Sequence, residues 1–132
     1  MQYHRKHSKY YSQKVMVDGI AFDSKREAER YRELKLLQRA GKISDLRMQV
    51  PFELLPAQFA YTGEVYKQGP KKGQPKPGKC IERSVVYLAD FVYIEHGTKI
   101  VEDVKGLRTK DYIIKRKLLR YMYRDIVFRE VY

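Results

Sequence analysis

The chain has one cysteine, Cys80, among its 132 residues. That excludes an internal disulfide and leaves too few thiols for a zinc site, so a reducing compartment is expected. Long apolar runs are also missing: nowhere does the sequence reach the roughly eighteen consecutive apolar residues that a membrane helix needs. The basic start, with Arg5, Lys6 and Lys9, is not followed by the apolar region of a secretory signal, so a soluble, cytoplasmic protein is expected. There are no internal repeats, and His4, His7 and His96 do not cluster, so they are assigned no role. Acidic residues are scarce, 16 against 28 basic ones, for a net charge of +12. An excess of this size on a small chain points to a polyanionic partner, nucleic acid first. The 43% hydrophobic content is enough for one domain with a real core.

Residues 1–14 are polar, basic and tyrosine-rich. They read as a mobile arm that either contacts DNA or merely solubilises the chain, and Tyr10 and Tyr11 can stack on bases. Val15–Val17 and Ile20–Phe22 flank Asp18-Gly19, a two-residue hairpin signal. Ser24 then predicts an N-cap and Gly41 a C-terminal stop, which gives a helix over about 25–40 with Ala28, Tyr31, Leu34 and Leu37 as its buried stripe. Glu27 sits at the edge of that stripe. It either closes a capping box on Ser24 or faces the sheet as a ligand. Leu46, Met48, Val50, Phe52 and Leu54 alternate with polar residues as in a half-buried strand, and Pro51 restricts that strand to an edge or breaks it. The glycine-, proline- and lysine-rich stretch at about 62–80 reads as a long coreless insertion, either a loop whose lysines follow a phosphate backbone or a disordered one.

The stretch from Tyr87 to Gly106 carries the chemistry. Two β-branched and aromatic runs flank Glu95-His96-Gly97-Thr98 and read as a hairpin. Asp90 lies within the first strand, while Glu102, Asp103 and Lys105 crowd the end of the second. Alternation puts Asp103 and Lys105 on one face and Glu102 on the other, and pairing can bring Asp90 beside Asp103. Two carboxylates and an ammonium around one small volume can seat a hard cation and a water nucleophile; the plainer alternative is a strand-end salt bridge to Lys105. Asp90 in an apolar strand needs a partner in either case. Next, Lys110–Tyr123 predicts a helix with an apolar stripe of Ile114, Leu118 and Tyr121, widened by Leu119 and Met122. Lys110, Lys117, Arg120 and Arg124 share another face, open to phosphates. A strand starting at Ile126 should lie parallel to the preceding strand through a right-handed crossover. The core order is α-β-β-β-α-β, an α/β arrangement behind a small ribbon.

These residues resemble the PD-(D/E)XK nuclease superfamily, and within it the phage endonuclease I family of Holliday-junction resolvases. Phe22-x-Ser24-x-x-Glu27, Tyr87-x-x-Asp90-Phe91 and Asp103-x-Lys105-Gly106-Leu107, followed by Asp111, Lys115 and Lys117, carry the resemblance from about residue 20 onward. Ala89 stands where that family usually has proline, and the 62–80 insertion has no counterpart in it. The segment Ser24-Lys25-Arg26-Glu27-Ala28-Glu29-Arg30-Tyr31 is also similar to a signature of short phage-encoded proteins. The resemblance implies a restriction-endonuclease-like fold with a mixed central sheet flanked by helices. It implies a phage-encoded, Mg²⁺- or Mn²⁺-dependent DNA endonuclease, acting as a homodimer on four-way or otherwise branched DNA. Glu27, Asp90, Asp103 and the Val104 carbonyl would bind metal, and Lys105 would hold or activate the attacking water. A non-catalytic nucleic-acid-binding protein on the same fold is the alternative.

Overall fold

The computed structural model describes residues 14–132. The expected arm, with Tyr10 and Tyr11, therefore lies outside the described residues apart from Lys14. The first hairpin forms as expected: β1 (Val15–Val17) pairs with β2 (Ile20–Phe22) across Asp18 at φ +51° and Gly19 at φ +75°. Two successive left-handed residues match the twist of a two-residue turn, and Asp-Gly reaches that conformation cheaply. Ser24 caps α1 (Lys25–Arg39), accepting from the Glu27 amide at 3.1 Å, and Gly41 follows the helix at φ +72°.

A four-stranded mixed sheet forms the centre, in the order β3 (Ser44–Leu55), β6 (Val85–Glu95), β7 (Thr98–Val104), β8 (Ile126–Val131). The first two pairings are antiparallel, and β7 pairs with β8 in parallel through α2 (Lys110–Met122). Pro51, which has no amide hydrogen, lies in the edge strand β3. Each face carries its own core. Tyr31 and Leu34 of α1 pack with Phe91, Tyr93 and Ile100, and Tyr112 and Leu119 of α2 pack with Phe52, Tyr87 and Val101. Leu34, Val101 and Leu119 are fully buried. Enclosing such side chains contributes about 1.5–3 kcal/mol each, so the two cores hold the helices to the sheet more firmly than exposed ion pairs do.

Two expectations fail. The 62–80 stretch is neither loop nor disordered throughout: β4 (Gln58–Val65) and β5 (Pro75–Glu82) pair antiparallel into a separate ribbon. Its residues are mostly exposed, so no core is involved and the order comes chiefly from main-chain pairing. Gly78 makes that pairing close, since a Cβ there would come within 2.9 Å of the Ala60 carbonyl oxygen. The second failure is the apolar stripe of α2. Ile114 (58%), Leu118 (39%) and Tyr121 (69%) are exposed, whereas Tyr112 and Leu119 are buried. The helix turns its Tyr112–Arg116–Leu119–Tyr123 face inward because Glu130 on β8 accepts hydrogen bonds from both Tyr112 and Arg116, an anchor that apolar spacing cannot register.

The central sheet turns over at one level. Tyr87 and Ala89 pack toward α2, while Phe91 and Tyr93 pack toward α1, although simple alternation would keep all four on one face. The neighbouring strand switches at the same height: Val50 and Phe52 pack toward α2, Leu46 and Met48 toward α1, and between them Gln49 has φ +51°. Asp90 sits at this switch.

Candidate active site

The last β6–β7 pair is Phe91 with Glu102. Beyond it β6 continues alongside β3 only, so the sheet forks. Asp90 occupies the fork, where its Oδ2 accepts the Val104 amide at 2.8 Å, a backbone donor that the interrupted ladder leaves free. Asp103 lies opposite, 2% exposed. Burial and the charge of Asp103 push the Asp90 carboxyl up to about 7, against the pull of the Val104 hydrogen bond. Glu27 reaches the same field from the first turn of α1. Its carboxyl is also raised, first by burial, then by Asp23 and Asp103, with Lys105 opposing.

Lys105 is held from three sides. Its Nζ lies 2.8 Å from Asp103 Oδ2 and 4.1 Å from the centre of the Tyr112 ring, and its amide donates to the Val131 carbonyl at 2.8 Å. Tyr112 is set by its Thr109 cap and by its hydroxyl, which donates to Glu130 Oε1 at 2.7 Å. Burial works to raise Glu130, but hydrogen bonds from Tyr112, Arg116 and Tyr132 outweigh it and hold the carboxyl at about 2. The strand-end salt bridge between Asp103 and Lys105 is therefore present. Beyond that ion pair, neither Asp103 Oδ2 nor the buried Tyr87 hydroxyl beside it has a well-directed hydrogen bond.

The strands and α2 enclose an open cleft of about 270 Å³ lined by Tyr87, Asp103, Lys105, Asp111, Tyr112 and Lys115, among others. Lys117, two residues beyond Lys115, falls on nearly the opposite side of the helix. Of the four cations expected to meet DNA, Lys110, Lys117, Arg120 and Arg124 are all exposed, but none lines the cleft. Arg120 and Arg124 instead flank a separate hollow of about 390 Å³ against Ile126–Phe128. That hollow is larger, but no carboxylate lines it and it offers no reacting group.

Sequence reasoning missed Tyr87 and Tyr112 as parts of the site; the Thr109-x-x-Tyr112 cap ahead of an aromatic was the available signal for the second. It placed Glu102 correctly on the opposite face. There Arg30 Nε and Nη2 clasp the fully buried Glu102 carboxylate, the second contact at 3.1 Å, and the Tyr93 hydroxyl donates to it at 2.5 Å. Burial and this bond push Tyr93 up to about 12, and Arg129 joins Tyr93 to Glu95. Glu102 is therefore structural, and Arg30 holds it.

Oxygen donors of the kind a hard divalent cation takes are present in Asp90, Asp103 and Glu27, and Asp103 Oδ2, buried with Lys105 as its ion-pair partner, is compatible with that role. Among the described residues, no three carboxylate, imidazole or thiolate side chains stand close enough to form a ready cage. The fit is that of a carboxylate pair with one more distant carboxylate.

A family model described as "Protein of unknown function (DUF1064)" matches residues 7–131. The chain belongs to this family. No curated protein and no solved structure matches the chain. The matched span of this DUF1064 chain includes both core elements and every residue of the fork. Within it, Ser24–Tyr31 has a physical reading: Ser24 caps α1 by accepting from the Glu27 amide, Ala28 packs at 1% exposure, Arg30 clasps Glu102, and Tyr31 bonds Asp18 at 3.1 Å. Among the described residues, no helix is long and apolar enough to cross a membrane.

Proposed function

We propose that the protein is a metal-dependent DNA endonuclease of restriction-endonuclease-like fold, phage-encoded and acting as a homodimer on branched DNA. One observation carries the reading: the fork brings the carboxylates of Asp90 and the buried Asp103 together, with the Lys105 Nζ 2.8 Å from Asp103 Oδ2. Two carboxylates sharing one ammonium leave an uncompensated negative charge that suits a bound cation.

Asp90 and Asp103 would hold the Mg²⁺ or Mn²⁺, with Glu27 and the Val104 carbonyl as further oxygen donors. When bound, the metal would supply a Lewis acid for the phosphoryl oxygen and a water of lowered pKa. Lys105, with its Nζ over the Tyr112 ring, sits beside the reacting phosphate. The attacking water adds its oxygen to phosphorus and gives up a proton to solvent, the P–O bond to the leaving deoxyribose breaks, and the departing oxygen takes up a proton from solvent.

The test is incubation with four-way, flap, nicked and linear DNAs in Mg²⁺ or Mn²⁺. Metal-dependent cleavage of a branched form, abolished by EDTA and by Asp103→Asn, supports the proposal. DNA binding without cleavage of any form in either metal refutes it and leaves a non-catalytic DNA-binding protein.

A further inference from the structure

The β4–β5 ribbon packs chiefly on itself, and it is strongly basic. Between residues 58 and 83 it carries Lys67, Lys71, Lys72, Lys76, Lys79 and Arg83 against Glu64 and Glu82. Among the described residues, none of these six cations forms an ion pair, a state they share with exposed cations of α2 such as Lys110, Lys117 and Arg120. Unneutralised charge concentrated on one projection is a feature for an external anion.

The tip is built rather than loose. Tyr66 and Gln74 close it, with Tyr66 N–H donating to the Gln74 carbonyl at 3.0 Å and Gly73 N–H to the Tyr66 carbonyl at 2.8 Å. The ammonium groups of Lys71 and Lys76 stand 5.8 and 5.7 Å from the centre of the Tyr66 ring. One aromatic thus positions two cations, a contact of about 0.5–1 kcal/mol each at an exposed site.

The ribbon also has the right root. It leaves the sheet after Leu55 and returns at Val85, directly ahead of Val86, Tyr87 and Leu88, which line the cleft containing Asp103. Eight-residue strands extend roughly 26 Å, about three-quarters of a turn of a DNA duplex.

We propose that the β4–β5 ribbon is a nucleic-acid arm that lies along the phosphate backbone of duplex DNA on one side of the cleft and holds it there without reading sequence. The proposal rests on the nuclease reading for the identity of the anion. An anionic membrane is the other candidate, and the placement of the apolar groups argues against it: Phe59, Tyr61 and Ile81 are exposed near the root, while the tip from 66 to 74 presents lysines. A membrane-inserting hairpin needs the reverse order.

The test uses the full chain carrying Lys71→Gln/Lys72→Gln/Lys76→Gln and, separately, Lys67→Gln/Lys79→Gln, which leaves the Tyr66 stack intact. Binding to a 30-base-pair duplex is measured over a salt series without divalent metal, and cleavage is measured at saturating enzyme with it. The triple variant should bind about 10- to 100-fold more weakly, its log–log salt slope shallower by roughly two to three units, and the double variant should lose about half as much. Single-turnover cleavage should be unchanged for both. Normal affinity and slope in both variants, while wild type binds and cleaves, overturns the arm and leaves the nuclease reading standing. No DNA binding by wild type overturns both. Charge-dependent binding to phosphatidylserine vesicles that duplex DNA fails to displace overturns the arm in favour of a membrane.

Discussion

Glu102 and Asp103 are neighbours on one strand and equally hidden from solvent, at 0% and 2% exposure, yet they are opposite in every other respect. Glu102 faces α1, where Arg30 and Tyr93 supply three hydrogen bonds to its carboxylate. Asp103 faces the fork, with a single ion pair to Lys105, a second carboxylate opposite and no well-directed hydrogen bond at Oδ2. Burial alone therefore says nothing about role. The saturated carboxylate is committed to the fold, and the less saturated one is where the proposed metal site belongs.

The largest expected effect breaks the saturated side. Glu102→Ala leaves the Arg30 guanidinium with only the half-exposed Glu33 as a partner and should cost about 3 kcal/mol in chemical denaturation; a loss under 1 kcal/mol contradicts the structural role given to Glu102. Asp103→Asn should do the reverse, lowering cleavage by roughly a thousandfold, about 4 kcal/mol of barrier, while the melting temperature stays near wild type. Lys105→Ala belongs beside it, with metal affinity kept and turnover reduced about a hundredfold; unchanged turnover removes Lys105 from the chemistry.

A smaller effect sharpens the contrast through pH. The folded Asp90 carboxyl, at about 7, lies above its unfolded value near 4, so the native state binds the extra proton between these pH values. Stability is therefore lost as pH rises through this window, and the penalty is complete above it. Asp90→Asn keeps an oxygen to accept the Val104 amide and removes the charge. In EDTA it should match wild type near pH 4 and exceed it by about 1 kcal/mol at pH 8. A stability difference that does not grow with pH rules out the mutual repulsion.

The smallest effect concerns α2. Lys115→Ala, at the cleft, should weaken binding of every DNA sequence alike and make the salt slope shallower by roughly one unit. Lys117→Ala, on the far side of the helix, should change the slope less, and equal changes mean that DNA wraps the whole helix.

Much of the fold was legible in the sequence because it depends on short-range periodicity. The Asp18-Gly19 turn, the Ser24 cap, the edge position of Pro51, the hairpin around His96-Gly97 and the parallel final strand all appear as expected. Alternation was enough to separate Glu102 from Asp103. What escaped depends on partners distant in sequence. Glu130 chooses the buried face of α2, and nothing within Lys110–Met122 shows that Arg116 points inward. The ribbon escaped because composition reports core-forming capacity, whereas two strands need only each other's amides and carbonyls. The switch at Asp90 has no local signature, since Gln49 on the partner strand takes up the unusual backbone angle.

The position of β8 gives the cleft a timetable. Residues 126–131 leave the ribosome after all the others around the fork, and three supports wait for them: the Val131 carbonyl that takes the Lys105 amide, the Glu130 carboxylate that fixes Tyr112, and the parallel ladder beside β7. A nascent chain that has reached residue 125 already holds Asp90, Asp103 and Lys105 but has nothing to lock the lysine against its ring. The surroundings of Lys105 and Tyr112 are complete only after that last strand has paired with β7.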